Sequence, residues 1–475
     1  MNLKPNPSFT IKIIPVIFLG LLIIYGMLIR PNVYQQPSFP LEVVFMLAAV
    51  FAVGQLLVRG FKWENIQESI IRKLSRGFPA ILILFSIGVI IGTWMVSGTI
   101  PMLIYYGINL INPSYIYLLA FVIPIVFSLL TGTSWGSIGT IGVVIIGVSA
   151  VIDANLGITA GAIVGGAFFG DKLSPLSDTT NLAAMATEVD LYDHISSMMV
   201  TTLPSALLAA CIYFSLGFIY PPVSNTVDNS QVDVTLIAIS SMFNFNIWLL
   251  IPPIIVLIGS IRKMATLPTL LASSMSAAFI ALIIQPYSST DIMASIHKGF
   301  NSDMAYWVNS APVNIDILFS RGGLYELNEA IIFSIMVFIF IGSIDLIDSM
   351  PSIVDRVFNL VKTKAGLIIS SLFTTAFTNS ITSNQSATSF IVGDAFKRRY
   401  DKYGISRKVL SRSIEDYGTM FESLIPWHAT TIFLTTTLGV SYGDYWYWQL
   451  LSLINLILAP TLAILGKGCF YKKTK

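Results

Sequence analysis

The sequence predicts an all-α polytopic membrane protein, and three observations lead to that prediction. Hydrophobic residues make up 55% of the 475 residues and charged residues only 11%, which is outside the usage of soluble domains. Apolar runs of about twenty residues recur along the chain, and each is long enough to cross a bilayer as a helix. Two of these runs are interrupted by polar clusters that a lipid-facing helix would not carry.

About ten crossings are expected, eight of them uninterrupted. The uninterrupted spans are predicted at residues 11 to 30, 41 to 59, 78 to 97, 194 to 219, 246 to 261, 267 to 285, 326 to 344 and 446 to 466. The two broken spans are 157 to 188 and 408 to 438. The first run is long enough to span and has no small-residue cleavage site, so we interpret it as a membrane helix and not as a signal peptide.

Two further stretches, 115 to 152 and 366 to 396, are apolar with a polar middle. Their middles read TGTSWGS and TNSITSNQSAT. Each apolar leg is about sixteen residues long, which is short for a full crossing. We therefore predict two re-entrant hairpins, whose polar tips end inside the membrane among protein and water.

The first broken span carries a dense polar cluster. Asp171, Lys172 and Asp178 fall within eight residues. Pro175 has no N–H and clashes with the carbonyl of Asp171, four residues earlier, so the helix should open there. Discontinuous helices near the midplane are how secondary transporters form ion and substrate sites.

The unusual residues recur at an offset of 251. Thr131 corresponds to Thr382 and Pro175 to Pro426, while Asp171 corresponds to Glu422, so each half has an acid four residues before its proline. We predict two repeats joined by an extracellular linker. The first repeat is residues 1 to 220 with hairpin 115 to 152 and broken helix 157 to 188, the linker is 221 to 245, and the second repeat is 246 to 475 with hairpin 366 to 396 and broken helix 408 to 438.

Charge predicts that these repeats are inverted. Residues 397 to 412 hold seven Lys and Arg, whereas the equivalent residues 146 to 161 hold none. Under the positive-inside rule, the two segments lie on opposite sides of the membrane. Inverted repeats are typical of alternating-access transporters. The same rule predicts that both termini, including the lysine-rich tail, are cytoplasmic and that the loop Pro221 to Asp233 is external.

If tips and breaks meet near the midplane, their oxygen atoms form an ion or substrate site. The first half contributes Thr133, Ser134, Ser137, Asp171, Ser174, Ser177, Asp178, Thr179 and Thr180. The second half contributes Asn384, Ser386, Thr388, Glu422, His428 and Thr430. Oxygen ligands with carboxylates suit a hard cation, and Asp178, Thr133 and Ser174 are the expected Na⁺ ligands. A carboxylate that holds either Na⁺ or a proton is the simplest exchange device.

Structural roles remain as alternatives for several of these residues. Asp171 could pair with Lys172, and Asp178 could cap the second half-helix. His428 could relay a proton or be a satisfied core histidine. Glu415 and Asp416 could serve transport or pair with Arg412.

Other functional classes lack their motifs. GTSWG matches the G-x-S-x-G nucleophile motif but lies between apolar legs and not on a soluble strand-to-helix turn. No HExxH, Walker or GxGxxG context is present, so we predict no enzyme activity and no cofactor. The basic residues lie at membrane edges, so no nucleic-acid partner is expected. Cys211 and Cys469 are expected to be buried free thiols.

TGTSWGSIGT, GAIVGGAFFGDKLSPLSDTTNLAA and EDYGTMFESLIPW together resemble the NhaC-type Na⁺/H⁺ antiporters, a family that also contains a malate/lactate antiporter. The resemblance implies the ion-transporter superfamily, in which two hairpins and two broken helices form the site and a scaffold carries the contacts of a homodimer. It implies exchange of cytoplasmic Na⁺ for protons in the cytoplasmic membrane of a prokaryote. The alternative is Na⁺- or H⁺-coupled exchange of a small organic anion or amino acid, with Lys172 helping to hold a carboxylate.

Overall fold

The computed structural model describes residues 7 to 222, 230 to 262, 264 to 308, 319 to 357 and 363 to 471. These residues are almost entirely helical, and within them only an isolated bridge between Ile405 and Tyr471 has strand-type pairing. The tail residues Lys472, Lys473 and Lys475 and residues 223 to 229 of the expected external loop lie outside the described residues.

The helices of the first half follow the predicted spans, except for a helix at Thr99–Leu110 that lies in none of them. They are α1 (Phe9–Tyr34, π-helical at Ile24–Ile29), α2 (Leu41–Val58), α3 (Trp63–Val96), α4 (Thr99–Leu110), α5 (Ile116–Thr131), α6 (Ser134–Val151, π-helical at Ile138–Gly142), α7 (Leu156–Leu173), α8 (Asp178–Thr187) and α9 (Leu191–Ile219). Side chains of Asn155, Ser177 and Asp190 cap the N-termini of α7, α8 and α9, which satisfies backbone N–H groups that a helix start leaves free.

The second half has a similar order of helices. They are α10 (Ser230–Met242), α11 (Ile251–Ile261), α12 (Thr266–Ile284), α13 (Ser289–Lys298), α14 (Asn328–Asp345), α15 (Ser349–Val357), α16 (Lys364–Thr382), α17 (Gln385–Lys402), α18 (Arg407–Tyr417), α19 (Thr419–Glu422), α20 (Ala429–Leu438), α21 (Tyr442–Tyr445) and α22 (Leu450–Leu465). Among the described residues, nine helices are long and apolar enough to cross a membrane, or up to eleven if two bent pairs count as spans. The protein is therefore a multi-pass helical membrane protein.

Several elements differ from the sequence prediction. Helix α3 begins at Trp63, well before the predicted residue 78, because the basic segment ahead of the span continues the helix. Helix α10 occupies the second half of the expected linker. The first leg of the first hairpin, α5, has the expected sixteen residues, or 19 with the 3₁₀ turn Pro113–Tyr115 before it, and the second leg, α6, has 18. Cys211 is exposed on α9, so only Cys469 is the buried thiol that we expected.

Close packing between α5 and α7 fixes the first hairpin against the first broken helix. A Cβ on Gly166 would lie 2.1 Å from the carbonyl oxygen of Phe121, and one on Gly170 would lie 1.8 Å from Ser128 Oγ. Only glycine permits this backbone approach. The contact holds the hairpin tip beside the break that follows α7.

Turn geometry recurs at the predicted offset of 251. Gly132 ends α5 with a φ of 69°, and Ser383 ends α16 with a φ of 46°. Glu188 ends α8 and Gly439 ends α20, again both in the left-handed region. These two pairs of left-handed turns lie at positions that the predicted repeat makes equivalent, and the repeat itself stays a prediction.

Candidate functional site

The first break lies between α7 and α8, where Pro175 predicts it. Pro175 cannot donate to the carbonyl of Asp171, and Thr180 Oγ1 donates to that oxygen instead, at 2.9 Å. Ser177 is the N-cap of α8, with Oγ accepting from the N–H of Thr180. Asp178 is thus the first residue of α8 and not its cap, so the capping alternative for Asp178 is wrong.

The carboxylate of Asp171 joins the hairpin tip to the break. Ser134 Oγ, at the start of α6, donates to Asp171 Oδ2 at 2.6 Å. Ser177 Oγ donates to Asp171 Oδ1 at 2.5 Å. Asp171 is buried, and hydrogen bonds to a buried carboxylate are among the stronger ones in proteins. The two hydroxyls fix the direction of the carboxylate.

The second break lies between α18 and α20 and has related hydrogen bonds. Thr431 Oγ1 donates to the carbonyl of Glu422 at 3.1 Å, as Thr180 does to that of Asp171. Thr430 Oγ1 donates to Glu422 Oε2 at 2.7 Å. The Nδ1 atom of His428 accepts from the N–H of Thr430 at 3.1 Å, so His428 caps α20. An accepting Nδ1 carries no proton, so this contact favours the reading of His428 as a neutral, satisfied core residue.

The hairpin tips repeat the same pairs of hydroxyls. The side chains of Thr131 and Ser137 are 3.1 Å apart, and those of their equivalents Thr382 and Thr388 are 2.9 Å apart. Thr133 accepts from the N–H of Gly136 in the first tip. In the second tip, Asn384 accepts from the N–H of Ala387.

Both tips and both breaks line one cavity of about 210 Å³. Ten of the predicted site residues line it, namely Thr133, Ser134, Asp171, Asp178, Thr179, Asn384, Ser386, Glu422, His428 and Thr430. This central cavity therefore contains carboxylates from both halves of the chain. Among its lining residues there is no Lys or Arg.

Five predicted residues do not line the central cavity. They are Ser137, Ser174, Ser177, Thr180 and Thr388. Ser174 Oγ donates to the carbonyl of Leu129 at 2.9 Å, so the structure does not bring this expected Na⁺ ligand to the cavity. Ser177 still acts on the site, because it holds Asp171. The remaining three stabilise the tips and the first break.

The cavity also has lining residues that the sequence reasoning missed. Thr419, Ser334 and Thr266 contribute hydroxyls, and Trp135 and Phe338 contribute aromatic walls. Ser334 and Thr266 come from spans that read as plain membrane helices. Thr419 carried a detectable signal, because it is a hydroxyl inside a broken span beside two acids.

Lys172 points away from the cavity. Its Nζ atom lies 2.7 Å from Asp416 Oδ1, and both side chains are buried. The alternative in which Asp171 pairs with Lys172 is therefore wrong. Arg412 Nε is 3.9 Å from Asp416 Oδ2, which agrees with the alternative that Asp416 pairs with Arg412. Lys172 is not available to a carboxylate in the central cavity in this conformation.

A larger cavity of about 960 Å³ adjoins the central one. The two share Phe338, Asn384 and Ser386 as lining residues. Its wall contains five basic residues, Lys73, Arg76, Lys397, Arg398 and Arg399, and three acids, Asp345, Asp355 and Asp394. Its lining includes Lys397, Arg398 and Arg399 of the basic segment 397 to 412.

A duplicated helical membrane protein whose broken helices and hairpin tips surround one polar cavity is a secondary active transporter in its architecture. The chain belongs to the Na⁺/H⁺ antiporter family, whose family model matches residues 166 to 467. It is 37% identical over 92% of both chains to an uncharacterized Na⁺/H⁺ antiporter of Haemophilus influenzae. It is 33% identical to the Na⁺/H⁺ antiporter NhaC of Bacillus subtilis, covering 87% of this chain and 88% of that one. It is 30% identical over 92% of both chains to the malate-2H⁺/Na⁺-lactate antiporter of Bacillus subtilis.

Proposed function

We propose that this protein exchanges Na⁺ for protons at the central cavity, with Asp171, Asp178 and Glu422 as the carboxylates that the ions share. The observation that supports this most is the meeting of these three acids at one cavity without a lining Lys or Arg. Carboxylate, hydroxyl and carbonyl oxygens are ligands that hard cations accept. Family membership supports the same pair of ions.

The exchange follows from charge compensation. Three carboxylates around a small cavity repel one another, so the site needs positive charge to be stable. Either Na⁺ or protons can supply that charge, but both cannot do so fully at once. Binding of Na⁺ on one side of the membrane therefore releases protons there, and protons replace Na⁺ on the other side.

The charge distribution predicts that the two repeats are inverted, and inverted repeats are the arrangement that alternating access uses. We place the basic segment 397 to 412, the larger cavity and both termini on the cytoplasmic side by the positive-inside rule. The conformation described here is then open to the cytoplasm. The cell is a prokaryote and the membrane its cytoplasmic membrane, in keeping with bacterial relatives. A homodimer remains a prediction.

Proteoliposomes with an acidic lumen test the exchange. Addition of Na⁺ outside should drive protons out of the lumen and ²²Na⁺ in. Asp171→Asn and Asp178→Asn should each abolish this, because each removes a carboxylate that faces the cavity, whereas Asp303→Asn, at an exposed acid, should leave it intact. If both cavity variants retain exchange at the wild-type rate, the proposed site is wrong.

The same liposomes test the organic-anion alternative. One relative is named as a malate-2H⁺/Na⁺-lactate antiporter. The central cavity of this protein, however, has no lining Lys or Arg that could pair with the carboxylate of such a substrate. We therefore expect labelled malate and lactate to remain outside, with or without Na⁺. Uptake of either acid that depends on Na⁺ would favour the alternative.

A further inference from the structure

Glu415 is a buried carboxylate that the proposed exchange does not use. It lies near the end of α18 and is fully buried. Its Oε2 atom accepts a hydrogen bond from Thr419 Oγ1 at 2.6 Å. Its Oε1 atom has no hydrogen-bond partner among the described residues. A buried carboxylate with one oxygen unsatisfied is costly when it is charged, so its presence calls for an explanation.

Thr419 connects Glu415 to the central cavity. Thr419 lines the cavity together with Asp171 and Glu422, and its Oγ1 donates to Glu415. A hydroxyl both donates and accepts. Thr419 can therefore accept a proton from cavity water while it passes its own proton to Glu415. The hydroxyl gains one proton and loses one, so it is unchanged after the transfer.

The first half has no equivalent of the Glu415–Thr419 pair at the offset of 251. At the offset of 251, Glu415 corresponds to Val164 and Thr419 to Phe168, both of which are buried in α7. The first half thus forms its broken helix with apolar residues at these positions. Glu415 and Thr419 are an addition to the second half and not part of the shared structure.

Glu415 is also not the partner of the nearby buried cations. Asp416 accepts from Lys172 Nζ at 2.7 Å, from Thr201 Oγ1 at 3.0 Å and from Asn455 Nδ2 at 3.0 Å. Arg412 donates to the carbonyl of Gly468 at 2.9 Å and lies 3.9 Å from Asp416. The charged groups that act on Glu415 electrostatically are Asp416 on its own helix, Asp171 and Lys172 on α7, and Glu422 on α19.

A charge count shows what a proton on Glu415 would do. With Lys172, Arg412 and Asp416 charged, the cluster is neutral when Glu415 is ionised and has a charge of +1 when Glu415 holds a proton. Asp171 acts on Glu415 electrostatically. A Na⁺ ion beside Asp171 would therefore disfavour the protonated cluster, and its departure would favour it.

We propose that Glu415 is a proton-binding residue of the exchanger in addition to the three cavity carboxylates, loaded from the central cavity through the Thr419 hydroxyl. This assignment of Glu415 rests on the proposed Na⁺/H⁺ exchange, and it adds the number of protons that are exchanged for each Na⁺. Release of Na⁺ lets one proton bind among the cavity carboxylates Asp171, Asp178 and Glu422 and a second bind Glu415. Each cycle then moves two protons against one Na⁺, which carries one net positive charge across the membrane and makes the rate depend on membrane potential.

The pH gradient that balances a fixed Na⁺ gradient measures this stoichiometry in proteoliposomes with the potential clamped to zero. In the wild type, net exchange should stop at the pH gradient that corresponds to two protons per Na⁺. In Glu415→Gln the balancing pH gradient should double, and exchange should lose its response to an imposed potential. Exchange of ²²Na⁺ for Na⁺, which needs no proton, reports that the variant is folded. Glu64→Gln, a matched change at an exposed glutamate, should behave as the wild type.

A second pair of variants tests the relay without altering the acid. Thr419→Val removes the hydroxyl and should reproduce the one-proton coupling of Glu415→Gln, whereas Thr419→Ser should keep two-proton coupling. Two-proton coupling in Glu415→Gln, or one-proton coupling in the wild type, would overturn the assignment of Glu415. A wild type in which Na⁺ moves no protons would instead refute the proposed exchange, and the assignment with it.

Discussion

Ser134→Ala removes one of the two hydroxyls that hold the Asp171 carboxylate. Ser134 Oγ donates to Asp171 Oδ2 at 2.6 Å, and Ser177 Oγ holds the other oxygen at 2.5 Å. The hydroxyl stabilises the ionised carboxylate, which is the form that binds Na⁺, more than it stabilises the protonated acid. The variant should therefore bind Na⁺ more weakly in competition with protons.

The size of the effect follows from the type of hydrogen bond. A hydrogen bond to a charged group contributes about 1.5 to 3 kcal/mol, and each 1.4 kcal/mol is about tenfold in affinity. The concentration of Na⁺ that gives half-maximal exchange should rise by about tenfold to a hundredfold. The maximal rate should change little, because the relay and the other cavity acids remain.

The assay is the dependence of ²²Na⁺ uptake on Na⁺ concentration at constant internal pH. Ser149→Ala is the matched control, since Ser149 lies on the same hairpin leg and its buried Oγ has no hydrogen-bond partner among the described residues. The control should keep the wild-type affinity. An affinity for Na⁺ in Ser134→Ala within about twofold of the wild type would show that Na⁺ does not depend on the Asp171 carboxylate.

Two further substitutions test the packing of the site. Gly170→Ala should lower the free energy of unfolding of the purified protein by about 1 to 3 kcal/mol, because the new Cβ would lie 1.8 Å from Ser128 Oγ. The control Gly20→Ala should not lower it, since nothing lies within 4 Å of the new Cβ. Equal melting temperatures of the two variants would contradict the close contact of α5 and α7. Lys172→Met leaves Asp416 as a buried charge without its 2.7 Å partner and should cost about 3 to 5 kcal/mol. The double variant with Asp416→Leu should recover part of that loss, and additive losses would argue against a direct pair.

The spans and both helix breaks follow from rules that act over a few residues. A run of apolar residues long enough to cross a bilayer forms a helix because its backbone has no other partner there. Pro175 opens its helix because it cannot donate to Asp171, and the left-handed turn at Gly132 follows from its lack of a side chain. These features were therefore predictable from short stretches of sequence.

Side-chain partners could not be predicted in the same way, because they depend on distant parts of the chain. Lys172 pairs with a residue 244 positions away, whereas the one partner that the sequence suggested for it was its immediate neighbour Asp171. The proline indicates that the helix opens at Ser174, but not that the Ser174 hydroxyl turns to the carbonyl of Leu129. Both outcomes are set by the packing of other helices against α7.

The two halves differ at the tip position that is Ser134 in the first half and Gln385 in the second, and this difference bears on the presence of Glu415 in the second half alone. At the first tip Ser134 donates to Asp171, whereas its equivalent Gln385 donates through Nε2 to the carbonyl of Ile414 at 3.1 Å. That carbonyl is near the end of α18, just before the kink at Gly418, where a Cβ would lie 2.2 Å from the Gln385 side chain. The equivalent of Gly418 is Ala167, inside continuous α7. Gln385 thus packs against the helix break at Gly418, directly before Thr419, which is the residue that the proposal places between the cavity and Glu415.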